Sequence, residues 1–219
     1  MISLGDVKKN KTVKTYIKKA NETLGVIGYT EHGERHSHIV SRDARKILKE
    51  LGRDERLCEL AAIAGCLHDI GNVISRDSHA QTGAIIAHMI LTQMDMDIND
   101  VAEVIAAIGN HHEEDGLPVS DVTAALILAD KADVHRSRVR NPKFIKFDIH
   151  DRVNYSTESS TLRVERENKV ISLDIAIDTG ISSVMEYFEI FLSRMTVSRK
   201  AADFLGCRFN LIINGGKMI

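Results

Sequence analysis

The first two thirds of the chain carry apolar residues at helical spacing. Apolar positions recur every three to four residues in six segments between about residue 6 and residue 132, which is the period of one buried face of an α-helix. Only two prolines, Pro118 and Pro142, are present to interrupt helices. The pattern therefore predicts a bundle of five or six helices that begins with a lysine-rich helix over residues 6–23.

Residues with capping side chains mark where several of these helices begin. Asp54 and Ser120 precede apolar runs and are predicted N-caps, because their side-chain oxygens can accept hydrogen bonds from the first backbone amides. Ser78 followed by Gln81 fits the capping-box pattern. We therefore expect His79 in the first turn of the fourth helix.

The pattern changes after about residue 155, where apolar and polar residues alternate with a period of two. Residues 162–164 and 171–177 are predicted strands, joined by a hairpin turn at 167–169. A long helix is predicted over about 181–205. The last apolar segment, residues 208–213, is a predicted third strand.

Length and composition fit one domain, or one domain with a small appendage. A chain of 219 residues that is 43% hydrophobic can bury a full core. The predicted fold class is mainly α, with a helical bundle over residues 1–150 followed by a small C-terminal β-β-α-β unit over residues 156–219. The three cysteines are an odd number without a CxxC pair, so no disulfide framework is expected. Because no apolar run reaches 18 residues, we expect no membrane span and a cytoplasmic protein.

The charge is nearly balanced overall but unevenly distributed. A net charge of −2 argues against a general nucleic-acid binder. Basic residues are concentrated in two segments, 8–19 and 136–152, and such runs are ordinarily solvated helix faces or loops. The second run has a sharper interpretation, in which its arginines form a rim that binds substrate phosphate. The candidates are Arg136, Arg138 and Arg140.

Seven histidine and aspartate residues form the strongest chemical pattern in the chain. They occur in five local phrases, which are RHSHIV (35–40), CLHDIGN (66–72), SHAQTGAII (78–86), IGNHHEEDG (108–116) and LADKAD (128–133). Imidazole nitrogens and carboxylate oxygens are ligands that divalent cations take, and side chains from several helices can converge on such a site inside a bundle. The candidate metal ligands are His36, His68, Asp69, His79, His111, His112 and Asp130.

The order His…HisAsp…His…HisHis…Asp resembles the HD superfamily of metal-dependent phosphohydrolases over about residues 30–135. The resemblance implies that four residues hold a first metal, and that Asp69 bridges the ions where two are bound. These four are His36, His68, Asp69 and Asp130. It also implies three further ligands, His79, His111 and His112, which match the extra histidines of the dinuclear branch. That branch includes the HD-GYP cyclic-dinucleotide phosphodiesterases and the di-iron HD oxygenases.

The chain departs from the HD pattern in two places. The GYP tripeptide that names the HD-GYP proteins is absent, and Asn72 stands where most HD proteins have a lysine that faces the substrate. Lys131, next to Asp130, is a candidate substitute for that lysine. His32 lies four residues before His36, which is one turn away on a helix, and it is therefore a candidate further ligand. The alternative is that His32 lies before the helix and lines the pocket or the surface.

The leading hypothesis is a metal-dependent phosphohydrolase that cleaves a phosphate ester of a nucleotide or another small phosphorylated metabolite. Its candidate catalytic residues are Asp69, which would position water or bridge metals, and Lys131, which would contact phosphate. One or two divalent ions are expected, and manganese, iron, cobalt, nickel and zinc all remain open.

Two alternatives keep the same ligands. One is a di-iron oxygenase of the HD type, and the other is a non-catalytic module that binds a nucleotide or metal and signals through the C-terminal unit. Nucleotides, cyclic dinucleotides and sugar phosphates all remain open as substrates. A homo-oligomer that uses the strand edges or the helix of the C-terminal unit is also open.

Overall fold

The predicted helical bundle is present and forms most of the molecule. The structure is a computed structural model that describes residues 1–114 and 116–219, apart from the side chain of Phe144. Asp115, which belongs to the turn predicted after His112, lies outside the described residues. The helices are α1 (Leu4–Lys9), α2 (Lys11–Val26), α3 (Glu34–Glu50), α4 (Glu55–Leu67), α5 (His79–Gln93), α6 (Ile98–Gly109), α7 (Asp121–Ala132), α8 (Ile149–Ser156) and α9 (Val184–Phe204).

The predicted β-β-α-β unit follows the bundle. Its strands are β1 (Thr157–Glu165), β2 (Val170–Ile177), β3 (Arg208–Ile213) and β4 (Gly216–Lys217), and they form one sheet in the order β1-β2-β3-β4. β1 and β2 are an antiparallel hairpin, and β3 pairs with β2 in parallel. The parallel pair requires a crossover connection, which α9 provides. The mainly α fold class with a small C-terminal sheet is therefore confirmed.

Two details of the helix predictions are wrong. The lysine-rich segment is two helices, because Asn10 ends α1 and its side chain then accepts hydrogen bonds from the Thr12 and Val13 amides to cap α2. Ser78 has a left-handed backbone with φ 56° and makes no side-chain cap. An N-cap residue ordinarily needs an extended backbone to reach the next amides, so the capping-box geometry is excluded there.

Other caps are confirmed. The side chain of Asp54 accepts from the Arg56 amide at the start of α4, and the side chain of Ser120 accepts from the Thr123 amide at the start of α7. Among the described residues, no helix is long and apolar enough to cross a membrane. The three cysteines are buried thiols without disulfide partners.

The most buried element is α7, which is enclosed along its length from Val122 to Ala132. It packs against α3, α4, α6 and α9, so its charged residues Asp130 and Lys131 must find partners inside the protein. Side chains of α9, including Tyr187 and Phe191, join the same hydrophobic core as the bundle. The helical part and the sheet thus share one core, and a domain boundary near residue 150 stays a prediction.

The closest helix contact is between α3 and α4. Gly65 in α4 faces the backbone of α3, and a Cβ atom built there would lie 2.8 Å from both the N and the Cα of Ser41. The Ser41 hydroxyl donates a 2.6 Å hydrogen bond to the Ala62 carbonyl across the same contact. This contact sets the separation of the two helices that deliver His36 and His68.

We expect Gly65→Ala to lower the free energy of unfolding by about 1–3 kcal/mol, because an added methyl group overpacks a backbone contact that cannot move cheaply. The loss would be measured by urea denaturation. Gly109→Ala is the matched control, since a Cβ there would lie 3.8 Å from its nearest neighbour, Ala84 Cβ. Equal stability of the two variants would contradict the close approach of α3 and α4.

Candidate metal centre

The candidate ligands lie at or near the ends of five helices, α3 to α7. His36 is in the first turn of α3, His68 and Asp69 follow α4, and Asp130 is in the last turn of α7. His79 begins α5. Gly71 permits this convergence, because any side chain at Gly71 would overlap the backbone oxygen of His79.

One cluster of candidate ligands joins α3, α4 and α7. His36 Nε2 lies 3.2 Å from His68 Nε2. Asp130 Oδ1 is 3.2 Å from His36 Nε2 and 3.6 Å from His68 Nε2, and Asp69 Oδ2 is 3.6 Å and 3.4 Å from the same two nitrogens. Ligand atoms of His36, His68 and Asp130 all lie within 4.8 Å of one another, as a single ion would require.

A second cluster shares Asp69 and extends toward α5 and α6. Ligand atoms of His68, Asp69 and His111 also lie within 4.8 Å of one another. His79 Nε2 is 3.6 Å from Asp69 Oδ1, on the other oxygen from the one that faces His68. The ring centroids of His79 and His112 are 5.0 Å apart. All seven predicted ligands are therefore brought together around Asp69.

The hydrogen bonds behind the rings define which nitrogen of each imidazole faces inward. Nδ1 of each of four imidazoles lies 2.6 to 3.0 Å from a backbone carbonyl oxygen. A carbonyl can only accept, so Nδ1 must carry a proton and Nε2 is the nitrogen left to face inward. These four are His32, His68, His79 and His111. Metal-binding histidines are commonly oriented in this way.

Asp133 orients the ring of His36 in the same way, by accepting from Nδ1, and it was not predicted from the sequence. Its Oδ2 lies 2.7 Å from His36 Nδ1. Arg35 holds the same carboxylate through two hydrogen bonds of 3.0 Å and 3.1 Å, and the carbonyl of Asp133 accepts 2.6 Å from Arg138. The only signal in the sequence was that Asp133 lies three residues after Asp130, one helical turn away.

This arrangement leaves electron pairs facing one another in a buried space. His36 and His68 both donate from Nδ1, so their Nε2 atoms face each other at 3.2 Å beside the carboxylates of Asp69 and Asp130, and only a proton or a cation between these atoms relieves the repulsion. Asp69 Oδ2 is buried and accepts no hydrogen bond from any residue that the structure describes. A cation between these atoms would remove the repulsion, so the donor set fits a divalent metal.

The pKa shifts of the candidate ligands are consistent with a bound cation. Burial alone would raise the pKa of Asp69 and of Asp130, but His68 beside the first and Lys131 beside the second lower it well below the usual range. Burial disfavours a charged His68, yet Asp69 and Asp130 outweigh it and raise the pKa of His68 to about 10. Burial lowers the pKa of His79 to about 4 and that of His111 well below normal. His79 and His111 are therefore neutral, which is the form that binds a metal, whereas His68 would release its Nε2 proton when an ion binds.

Asn72 supports Asp69 from behind. Its side-chain amide donates at 2.9 Å to the backbone oxygen of Asp69 and at 2.9 Å to Asp69 Oδ1. Asn72 is completely buried, so it orients a ligand and does not face the cavity.

Lys131 is not where the sequence placed it. Its ammonium group is buried between Asp130 Oδ2 at 2.7 Å and Glu113 Oε2 at 2.5 Å, and Arg194 of α9 donates to the other oxygen of Glu113 at 3.3 Å. Because α7 is enclosed on all sides, Lys131 neutralises buried carboxylates and does not line the cavity. Its expected contact with substrate phosphate is therefore not supported by its position.

A cavity of about 820 Å³ opens beside the metal ligands. His32, His79 and His112 lie in its wall, and the other ligands are more deeply buried. Among the described residues, the wall contains three arginines, Arg76, Arg138 and Arg194, and five acidic residues, Asp77, Glu113, Glu114, Asp148 and Asp151. Elements α8 and α9 supply much of the remaining wall, so the C-terminal unit encloses the site.

The predicted arginine rim requires correction. Of its three members only Arg138 lines the cavity, and it is 2% exposed, with Nε donating to the Glu31 carbonyl. Arg136 pairs with Glu158 at 3.1 Å. Arg140 donates to the backbone of Asn21 and Tyr29 instead. Arg136 and Arg140 therefore bind protein groups and do not line the cavity, although Arg140 contacts the carbonyls of Tyr29 and Thr30 in its wall.

His32 lies before α3, as the alternative interpretation had it, and is 7% exposed in the cavity wall. Its ring centroid is 5.4 Å from that of His36. Burial and the nearby Arg138 hold the pKa of His32 well below its usual value. A neutral His32 next to the first cluster stays a candidate further ligand.

Comparison with known proteins finds one family match and several similar chains. A model of the HD domain matches residues 33–136. An uncharacterized protein of Methanocaldococcus jannaschii is 30% identical over 204 residues, which cover 81% of this chain and 78% of the relative. A crystal structure titled as a predicted HD superfamily hydrolase, from an uncultured Thermotogales bacterium, matches with 26% identity and a TM-score of 0.47, covering 61% of this chain and 75% of that one.

Two ribonuclease Y proteins share only a segment with this chain. That of Lawsonia intracellularis is 36% identical over 108 residues, which cover 48% of this chain and 18% of the relative. That of Aster yellows witches'-broom phytoplasma is 29% identical over 157 residues, which cover 70% of this chain and 26% of the relative. The ordered histidines and aspartates and the HD-domain match show that this chain belongs to the HD superfamily.

Proposed function

We propose that the protein is a metal-dependent phosphohydrolase that cleaves a phosphate ester of a nucleotide or another small phosphorylated metabolite. The observation that carries this proposal is the pair of opposed Nε2 atoms of His36 and His68, 3.2 Å apart beside Asp69 and Asp130. These groups are buried behind a cavity wall that contains His32, His79 and His112. HD domains bind divalent metals, and this donor set fits one.

One or two ions would bind here. The first ion would take His36, His68, Asp69 and Asp130. A second would take His79 and His112, which line the cavity, together with the buried His111, and would share Asp69. The two Asp69 oxygens support this sharing, because Oδ2 faces His36 and His68 whereas Oδ1 faces His79.

A divalent ion in this position supplies Lewis acidity and makes a water nucleophilic near neutral pH. Asp69 would be a ligand of that ion, because its buried Oδ2 accepts no hydrogen bond from any residue in the described part of the chain. Lys131 keeps Asp130 ionised through their 2.7 Å contact and therefore acts as a positioning residue. The cavity wall carries more than one arginine, and guanidinium groups suit phosphate oxygens.

The cavity volume supports a small substrate. Ligand sites of roughly 300–1,000 Å³ hold drug-sized molecules, and the cavity of about 820 Å³ falls in that range. The name ribonuclease Y of two relatives supports including phosphodiesters among the candidate substrates. A net charge of −2 favours small phosphate esters over general nucleic-acid binding.

The first test is the metal content of tag-free protein prepared without chelator. We expect one to two divalent ions per chain, measured by mass spectrometry, and hydrolysis of p-nitrophenyl phosphate or bis(p-nitrophenyl) phosphate that is lost with chelator and restored by metal. Two iron ions with oxygen consumption and no hydrolysis would instead indicate an oxygenase. Absence of bound metal after reconstitution would favour a binding module.

Asp69→Asn should reduce both metal content and the rate of hydrolysis. Loss of a partner behind a ligand typically costs about 10- to 100-fold in affinity or activity, so we expect loss of a bridging ligand to reduce kcat by at least about 100-fold. Asp174→Asn is the matched control, because its carboxylate pairs with Arg163 on the sheet at 3.2 Å. Full activity of Asp69→Asn would refute the assignment.

Asp133→Asn should weaken metal binding without removing a ligand. The neutral amide holds the Nδ1–H of His36 less firmly, so we expect the metal Kd to rise about 10- to 100-fold, measured by competition with a chromophoric chelator. Asp100→Asn, which removes the charge of a remote carboxylate paired with Arg56, should leave this Kd unchanged. Unaltered metal affinity in a folded Asp133→Asn protein would show that Asp133 does not position His36.

A further inference from the structure

Arg76 is the cavity arginine with the weakest hydrogen bonds to protein acceptors. It lies in the wall beside His79 and His112 and is half-buried. Its Nη1 is 3.5 Å from Asn72 Oδ1 and 3.9 Å from Asp69 Oδ1, distances that are at or beyond the limit of a hydrogen bond. No residue in the described part of the chain accepts a hydrogen bond from Nε or Nη2 of Arg76.

The other two cavity arginines are already engaged. Arg138 is buried and donates to the carbonyls of Glu31 and Asp133. Arg194 pairs with Glu113, which in turn binds Lys131. Their charges compensate buried acidic groups, so neither has the same freedom to bind a ligand.

Arg76 is also held in place without using its donors. Its guanidinium carbon lies 5.3 Å from the centroid of the Tyr29 ring, a cation–π distance that restricts the side chain but leaves its N–H groups available. The backbone oxygen of Arg76 accepts the 3.0 Å hydrogen bond from His79 Nδ1. One residue thus orients a candidate ligand through its backbone and presents a planar cation to the same cavity.

We propose that Arg76 forms an anion subsite beside the metal centre and binds the nonbridging oxygens of the phosphoryl group of the substrate. The planar fork of an arginine matches two phosphate oxygens at once. Only Nη1 of Arg76 is near a protein acceptor in the described part of the chain, and that contact is weak. The Nε and Nη2 donors are therefore available to bind phosphate oxygens. The identity of the ligand as a substrate rests on the proposed phosphohydrolase function, whereas anion binding by Arg76 does not.

The test compares inorganic phosphate binding to metal-loaded wild type, Arg76→Ala, Arg76→Lys and Arg76→Gln by calorimetry. We expect Arg76→Ala to raise the phosphate Kd about 10- to 100-fold, the range for removing a charge-assisted hydrogen-bonding group. Metal content should stay unchanged, and KM for p-nitrophenyl phosphate should rise more than kcat falls. Arg136→Ala is the control, because it removes a guanidinium that pairs with Glu158 and does not line the cavity.

A phosphate Kd within about twofold of wild type in metal-loaded Arg76→Ala would overturn the proposal. If Arg76→Ala fails to fold or to retain metal, Arg76→Lys and Arg76→Gln decide, since lysine keeps the positive charge and glutamine does not. Tighter phosphate binding by Arg76→Lys than by Arg76→Gln supports the subsite, and equal phosphate affinity of these two variants overturns it. Failure of the wild type to cleave either ester with any metal would refute the proposed function only, because the phosphate affinities would still decide the subsite.

Discussion

Two buried carboxylates, Asp69 and Asp130, are the constraint on which the rest of the structure depends. Removing a carboxylate from water carries a large penalty unless opposite charge and hydrogen bonds compensate it. Compensation here comes from Lys131 beside Asp130 and from a positive charge at the Nε2 atoms of the histidines, supplied by the proton of His68 or by a bound cation. These Nε2 atoms face the carboxylates because the Nδ1 protons are committed to groups behind the rings. Asp133 fixes His36 in this way, and the Gly65 carbonyl fixes His68. The helix that supplies Gly65 must also pack closely on α3, so core packing and ligand geometry are set by the same contact.

The same electrostatic requirement connects the C-terminal unit to the centre. Asp130 is paired with Lys131, Lys131 with Glu113, and Glu113 with Arg194 of α9. Each charge in this series is at least largely buried, so removing any one would leave its neighbour uncompensated. The helix that crosses between β2 and β3 therefore contributes to the charge balance of the metal centre as well as to the shared hydrophobic core.

The sequence predicted the structural features that depend on hydrophobic periodicity and on the type of residue at one position. Helical spacing predicted the bundle, alternation predicted the hairpin, and Asp54 and Ser120 were correct caps. Contacts between residues distant in sequence were not predictable in this way. Lys131 was expected to face substrate because it follows Asp130, but burial of α7 on every side turns it toward Glu113. Arg76 had no recognisable pattern, and its position depends on a turn packed against α5.

The position of the C-terminal unit favours an enzyme over a module that relays a signal. A module that signals through a separate appendage has no need for that appendage to line the ligand cavity. Here Phe191 and Arg194 of α9, and Asn154 of α8, are part of the cavity wall. A wall built from both parts of the chain limits the volume beside the metal ligands and excludes bulk water from part of it, which strengthens electrostatic interactions there. Enclosure of this kind serves the chemistry of a small bound ester more directly than it serves signal relay.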